Sequence, residues 1–282
     1  MNIIYESSNG KKYDLITNRM RPTAGNLHEY EWIVDAESQI YGDKVKEFKK
    51  DAVEYSITLT FRGSLEERHA AMDELVNSFE HDIANKTPGK LYFGEYYIQC
   101  YMRSGKSKVN STWNNWSDLT VTVYCPYPFW IHEQLISIQP LDESAKAFSD
   151  AKSYPYGYTY SYPLSQTAVR LMVDHYADSD FQMIIYGPAA DINITIAGHP
   201  YIVHYQVEAG EYLTIDSRDT QPADRRIFLT KNNGKKVNVF NYRDSEHSAL
   251  QKIPAGELTI DYSRLYGIDL TLYLERSEPK WI

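Results

Sequence analysis

Apolar and polar residues alternate at Val53, Tyr55, Ile57, Leu59 and Phe61, the period of a strand with one buried face. The same period returns at Leu119, Val121, Val123 and Cys125. Before that run, Leu91–Phe93 and Tyr97–Met102 flank Gly94-Glu95, which predicts a hairpin followed by a return strand. Tyr30–Val34 is a shorter strand-like piece. Between these segments the period changes to that of a helix, with apolar residues at Leu65, Met72, Leu75, Val76, Phe79 and Ile83. Ser64 and Glu67 form the Ser-x-x-Glu capping box at its start, and Pro88-Gly89 stops it, so the pattern predicts one helix over about 64–86. A lone helix between strands lays its apolar stripe on a sheet.

From Ala168 onward the pattern is β throughout. Runs at 169–173, 181–186, 192–196, 201–205, 212–215, 227–229, 237–240, 258–260 and 270–274 are separated by turn signals such as Gly187-Pro188, Gly198-His199-Pro200 and Asn232-Asn233-Gly234. Short strands at that spacing predict a β-sandwich. The stretch between the halves is rich in proline and tyrosine and reads as a connector. The expected class is mainly β, an α+β N-terminal domain over 1–135 and a C-terminal sandwich over 166–282, joined by 136–165.

Composition adds constraints. Of 282 residues, 25 are Tyr and 14% are aromatic, too many for a disordered chain, so the core must bury tyrosines. The net charge of −9 divides evenly, −4 over 1–140 and −5 over 141–282, which argues against a basic nucleic-acid module in either half. The start, Met1-Asn2-Ile3-Ile4-Tyr5-Glu6, lacks the features of a signal peptide, and the uncharged stretch Leu119–Ile131 is too short to span a bilayer. Cys100 and Cys125 are expected as reduced core thiols.

Signatures of catalysis are missing. Ser104-Gly105-Lys106-Ser107 resembles the end of a phosphate loop, but Cys100 stands where that loop needs glycine. There is no Gly-x-Ser-x-Gly elbow or His-Glu-x-x-His, and the eight histidines show no metal-ligand spacing, so no enzyme activity, metal or cofactor is expected. Two features remain as candidate contacts. Between Tyr96 and Ser117 there is no acid, while Arg103, Lys106 and Lys108 accompany Trp113 and Trp116. This reads either as a solvated loop or as a contact with a neighbouring subunit, an anionic surface or a sugar. In an extended chain Tyr154, Tyr156, Tyr158, Tyr160 and Tyr162 share one face, as a lid over a domain junction or a sugar-stacking row. Tyr41–Asp51, with four lysines against three acids, reads as a solvated excursion.

Several pieces together resemble one family. Ile185-Tyr186-Gly187-Pro188, Asp191–Gly198 with Tyr201, Glu208–Ser217, Lys231-Asn232-Asn233-Gly234 and Leu250–Gly256 followed by Leu258-Thr259-Ile260 are similar, in that order, to the distal tail proteins of siphophages and related prophages. Tyr124–Trp130, the helix-bearing N-terminal portion and the connector extend the likeness over nearly the whole chain. The resemblance implies a virion structural protein at the tail tip, made in the bacterial host cytoplasm. Its N-terminal domain would build a homo-hexameric ring around a channel for DNA, and its C-terminal domain would be a galectin-like sandwich. The implied partners are the major tail protein, the tail-associated hub or lysin protein and a receptor-binding protein or cell-wall saccharide. A carbohydrate-binding adhesin acting through the sandwich is the alternative.

Overall fold

The computed structural model describes residues 2–109, 115–141, 168–190, 192–219 and 226–281. They form two compact units, residues 1–132 with 275–282 and residues 133–274.

The first unit opens with β1 (Ile3–Glu6), β2 (Lys12–Asp14), β3 (Met20–Gly25), β4 (Ile33–Ser38), β5 (Asp43–Lys49) and β6 (Val53–Arg62). After α1 (Leu65–Ala84) come β7 (Gly89–Phe93), β8 (Tyr96–Val109), β9 (Trp116–Cys125) and the start of β10 (Trp130–Ile138). Two sheets share the long β8. Its first residues pair with β7, which continues to β1 and β2, while residues from Tyr101 onward pair with β9, which continues to β6 and β3. The predicted alternation on β6 and β9 is what the ladder uses. Tyr55, Ile57, Leu59, Phe61, Leu119, Val121, Val123 and Cys125 all face the core, the aliphatic and Phe side chains among them each contributing on the order of 1.5–3 kcal/mol when fully buried.

The helix starts as the sequence predicts, with Ser64 accepting from the Glu67 amide at 3.2 Å and Glu67 from the Ser64 amide at 3.1 Å. Its buried stripe differs from the expected one. Met72, Leu75 and Phe79 face the core, but Leu65, Val76 and Ile83 are partly exposed, and Arg68, Ser78 and Asp82 complete the stripe instead. Asp82 is fully buried near the helix C-terminus, where the backbone dipole disfavours an anion. Its carboxylate is held by the Tyr5 hydroxyl, the Ser7 hydroxyl at 2.6 Å, and the Ser8 amide and hydroxyl at 2.9 and 2.6 Å. Burial raises its pKa, and these hydrogen bonds more than reverse that, leaving it below its ordinary value. Gly89 lies against the same group; a Cβ there would be 2.8 Å from the Asp82 carboxylate and the Tyr5 hydroxyl.

The second unit carries β11 (Val169–Val173), β12 (Asp180–Tyr186), β13 (Ile192–Ile196), β14 (His199–Val203) and β15 (Tyr212–Asp216), then β16 (Ile227–Thr230), β17 (Lys236–Asn238), β18 (Gly256–Asp261) and β19 (Ile268–Arg276). One sheet runs β17-β16-β15-β12-β19 and the other β11-β18-β13-β14. Phe181, Met183, Ile185, Leu213, Ile215, Leu270 and Leu272 from the first join Ile192, Ile194, Ile196, Leu258 and Ile260 from the second in one core, the expected sandwich. The chain is mainly β. Gly187 is fixed by close approach, because a Cβ there would lie 2.0 Å from the Glu208 carbonyl oxygen. Cys100 and Cys125 are free and buried; burial pushes the Cys125 thiol up to about 12 and Cys100 up as well.

Candidate subunit interface

The segment expected as a cationic loop is largely strand. Ser104 pairs with Thr122, Lys106 with Thr120 and Lys108 with Asp118, extending β8 along β9. The β9 backbone supplies this ladder, so β8 continues although its own side chains lose apolar alternation. Arg103 falls at a register shift between Met102 and Ser104, the position of a β-bulge. Its guanidinium grips Glu54, Nη1 to Oε1 at 2.7 Å and Nη2 to Oε2 at 3.1 Å. Lys106 and Lys108 are exposed, and Trp116 stands partly exposed opposite Arg62. Trp113 lies outside the described residues, as do Tyr154, Tyr156, Tyr158, Tyr160 and Tyr162.

Cross-strand partners share a face. Lys106 and Lys108 therefore stand beside a hydroxyl-rich surface on which Thr23 and Thr60 are 3.1 Å apart, Thr58 and Thr120 3.0 Å apart, and Thr60 donates to Asp118 at 2.6 Å. The β3-β6-β9-β8 sheet is open at both ends among the described residues. β3 pairs with β6 alone, and β8 beyond Met102 pairs with β9 alone. Such edges offer unpaired backbone groups to another chain.

The most exposed apolar surface of this unit is elsewhere, where the sequence suggested a solvated excursion. Among the described residues β4 and β5 pair only with each other, and every residue of both is exposed. Val34 pairs with Phe48 and Ala36 with Val45, giving this arm one apolar face. The opposite face carries Asp35, Glu47 and Lys49, with Lys49 3.7 Å from Asp35 and 3.2 Å from Glu47. At its tip Ile40 and Tyr41 are 92% and 95% exposed. A two-stranded hairpin without a core is marginal in water, which makes the exposed apolar face a candidate contact.

The second unit has a cleft of about 460 Å³ lined by Gln139, Tyr186, Leu265 and Asp269 among others. The Asp269 carboxylate accepts from the Ser137 hydroxyl and, at 2.7 Å, from the Tyr186 hydroxyl, and that bond pushes Tyr186 up to about 12. Among the described residues, no group of three or more His, Cys, Asp or Glu could hold a metal ion, and no helix is long and apolar enough to cross a membrane.

No protein-family model matches the sequence, and no curated protein matches it. Solved structures do. A chain of the phage P2 baseplate in its activated conformation with calcium matches over 99% of both chains with 13% identity and a TM-score of 0.59. The strontium form of that baseplate matches over the same share, at 12% identity and the same TM-score. The SPP1 Dit protein (gp 19.1), described as a paradigm of the hub adsorption apparatus in phages infecting Gram-positive hosts, matches over 98% of both chains with 9% identity and a TM-score of 0.58. From its first strand to its last, this chain has the fold of phage baseplate and Dit hub proteins, the distal tail proteins.

Proposed function

We propose that the chain is a structural adaptor of a phage tail tip that assembles into a six-membered ring around a channel for DNA, between the major tail protein and the tail hub or lysin protein. The single observation that carries this reading is the β4–β5 arm, whose apolar face stays exposed among the described residues. The arm and the two open sheet ends are different surfaces. Arm-to-body contact between copies is therefore head-to-tail, and head-to-tail contacts close into rings when the rotation allows. The hydroxyl-rich face with Lys106 and Lys108, together with Trp116, is the further surface offered to a neighbouring subunit or tail partner. The fold shared with baseplate and Dit hub chains supports the placement in a virion tail. The evenly spread acidity suits a protein past which DNA must slide, since cationic surfaces hold phosphates by releasing counterions.

Light scattering on the purified protein across a concentration series tests this. Six copies of 32.7 kDa weigh about 196 kDa, and that mass or its back-to-back double is the expected result. A monomer at every concentration would remove self-assembly. It would favour the adhesin reading, with the Tyr186 cleft as the surface for a saccharide.

A further inference from the structure

The arm leaves the body between Trp32 and Ile33 and returns at Lys50, and a single cation holds both crossings. The Lys50 ammonium stands 5.4 Å from the Tyr30 ring centre, 5.3 Å from that of Trp32 and 4.9 Å from that of Phe129, and donates to the Pro128 carbonyl at 3.2 Å. Tyr30 and Trp32 precede β4, Lys50 follows β5, and Pro128 and Phe129 lead into β10. The rings also touch one another. Phe48 of the arm meets Trp32 edge-on at 6.4 Å, Trp32 meets Phe129 at 6.0 Å, and Phe129 meets Tyr127 at 5.4 Å. Tyr127 then donates to Glu275 at 2.6 Å. Burial of the ammonium pushes its pKa down to about 8, while three ring faces favour the charged form.

The geometry points to Lys50 as a latch: its ammonium, caged by Tyr30, Trp32 and Phe129 and bound to the Pro128 carbonyl, fixes the root of the β4–β5 arm on the body and so presents the arm's apolar face in one orientation. An arm ordered in advance loses less conformational freedom when it docks. What the arm docks on rests on the ring reading, but the latch does not, because it is a contact within one chain.

Amide hydrogen exchange on the full-length protein tests it, with Lys50→Met, which keeps the apolar stem and removes the charge, and Lys50→Arg, which keeps the charge. The methionine variant is expected to exchange about tenfold faster over residues 33–49, with residues 55–61 unchanged and the arginine variant close to the parent. Equal rates in the arm, or equal acceleration of β6, would overturn the latch. Should Lys50→Met misfold, carbon-13 labelling of lysine in the unaltered protein gives a second readout. A caged Lys50 shows ε-methylene protons upfield of the other lysines through the ring currents, and a Lys50 signal among the solvated lysines would overturn the proposal. The ring-current readout reports a contact within one chain whatever the mass of the assembly, so a failed latch and a failed ring are distinguishable.

Discussion

Asp82 shows how a polar residue enters a helix stripe. Four donors from Tyr5, Ser7 and Ser8 replace the water it loses, so one carboxylate ties α1 to the turn between β1 and β2. Charge-assisted bonds of this kind contribute more than neutral ones. Asp82→Asn should lower stability by about 2–3 kcal/mol at pH 7, measured by denaturant unfolding. The pH dependence follows from its lowered pKa. The stabilisation is present above the ordinary carboxylate value of about 4 and is lost as pH falls through the lower folded value, so the variant should show a shallower decline in acid. None of this is legible in sequence, where nothing sets Asp82 apart from the chain's other acids. The Arg103–Glu54 pair is hidden for the same reason: adjacent strands bring together residues far apart along the chain, and spacing carries no trace of it.

At the scale of elements, β6, β9 and α1 were readable because each combines a regular apolar period with a clear start or stop. β3 was not, being short and carrying Pro22, which suits an edge position that requires no amide donor. β5 hides its pattern differently. The register shift opposite Asp35 and Ala36 leaves Lys46 extra, so Val45 and Phe48 share a face although three residues apart, a spacing that defeats a search for period two. The arm these strands form contributes nothing to either hydrophobic core. Replacing residues 33–49 by a short Gly/Ser link should therefore leave the melting temperature within a few degrees while abolishing the six-copy mass. A shortened chain that still sedimented as six copies would show that the arm is not the contact.

The whole molecule meets its shortage of aliphatic residues with tyrosine. Of its 25 tyrosines, Tyr5, Tyr55, Tyr97, Tyr201, Tyr262, Tyr266 and Tyr273 are core residues. They are spread over both units, and several place the hydroxyl on a carboxylate or carbonyl, as Tyr5 does on Asp82 and Tyr201 on the Gln251 carbonyl at 2.9 Å. Burial pushes Tyr55, Tyr266 and Tyr273 up to about 12 and raises Tyr5 and Tyr201 further. A phenol that stays neutral in the fold favours the folded state until pH rises past about 10, the ordinary value, and from there each increment of pH weakens it. The core is thereby its own alkaline indicator. Followed by ultraviolet absorbance near 295 nm, the protein should titrate its surface phenols gradually and reversibly around pH 10, then release the buried ones together in a steep step as the fold opens. A single smooth curve at the ordinary value would mean that these rings are solvated.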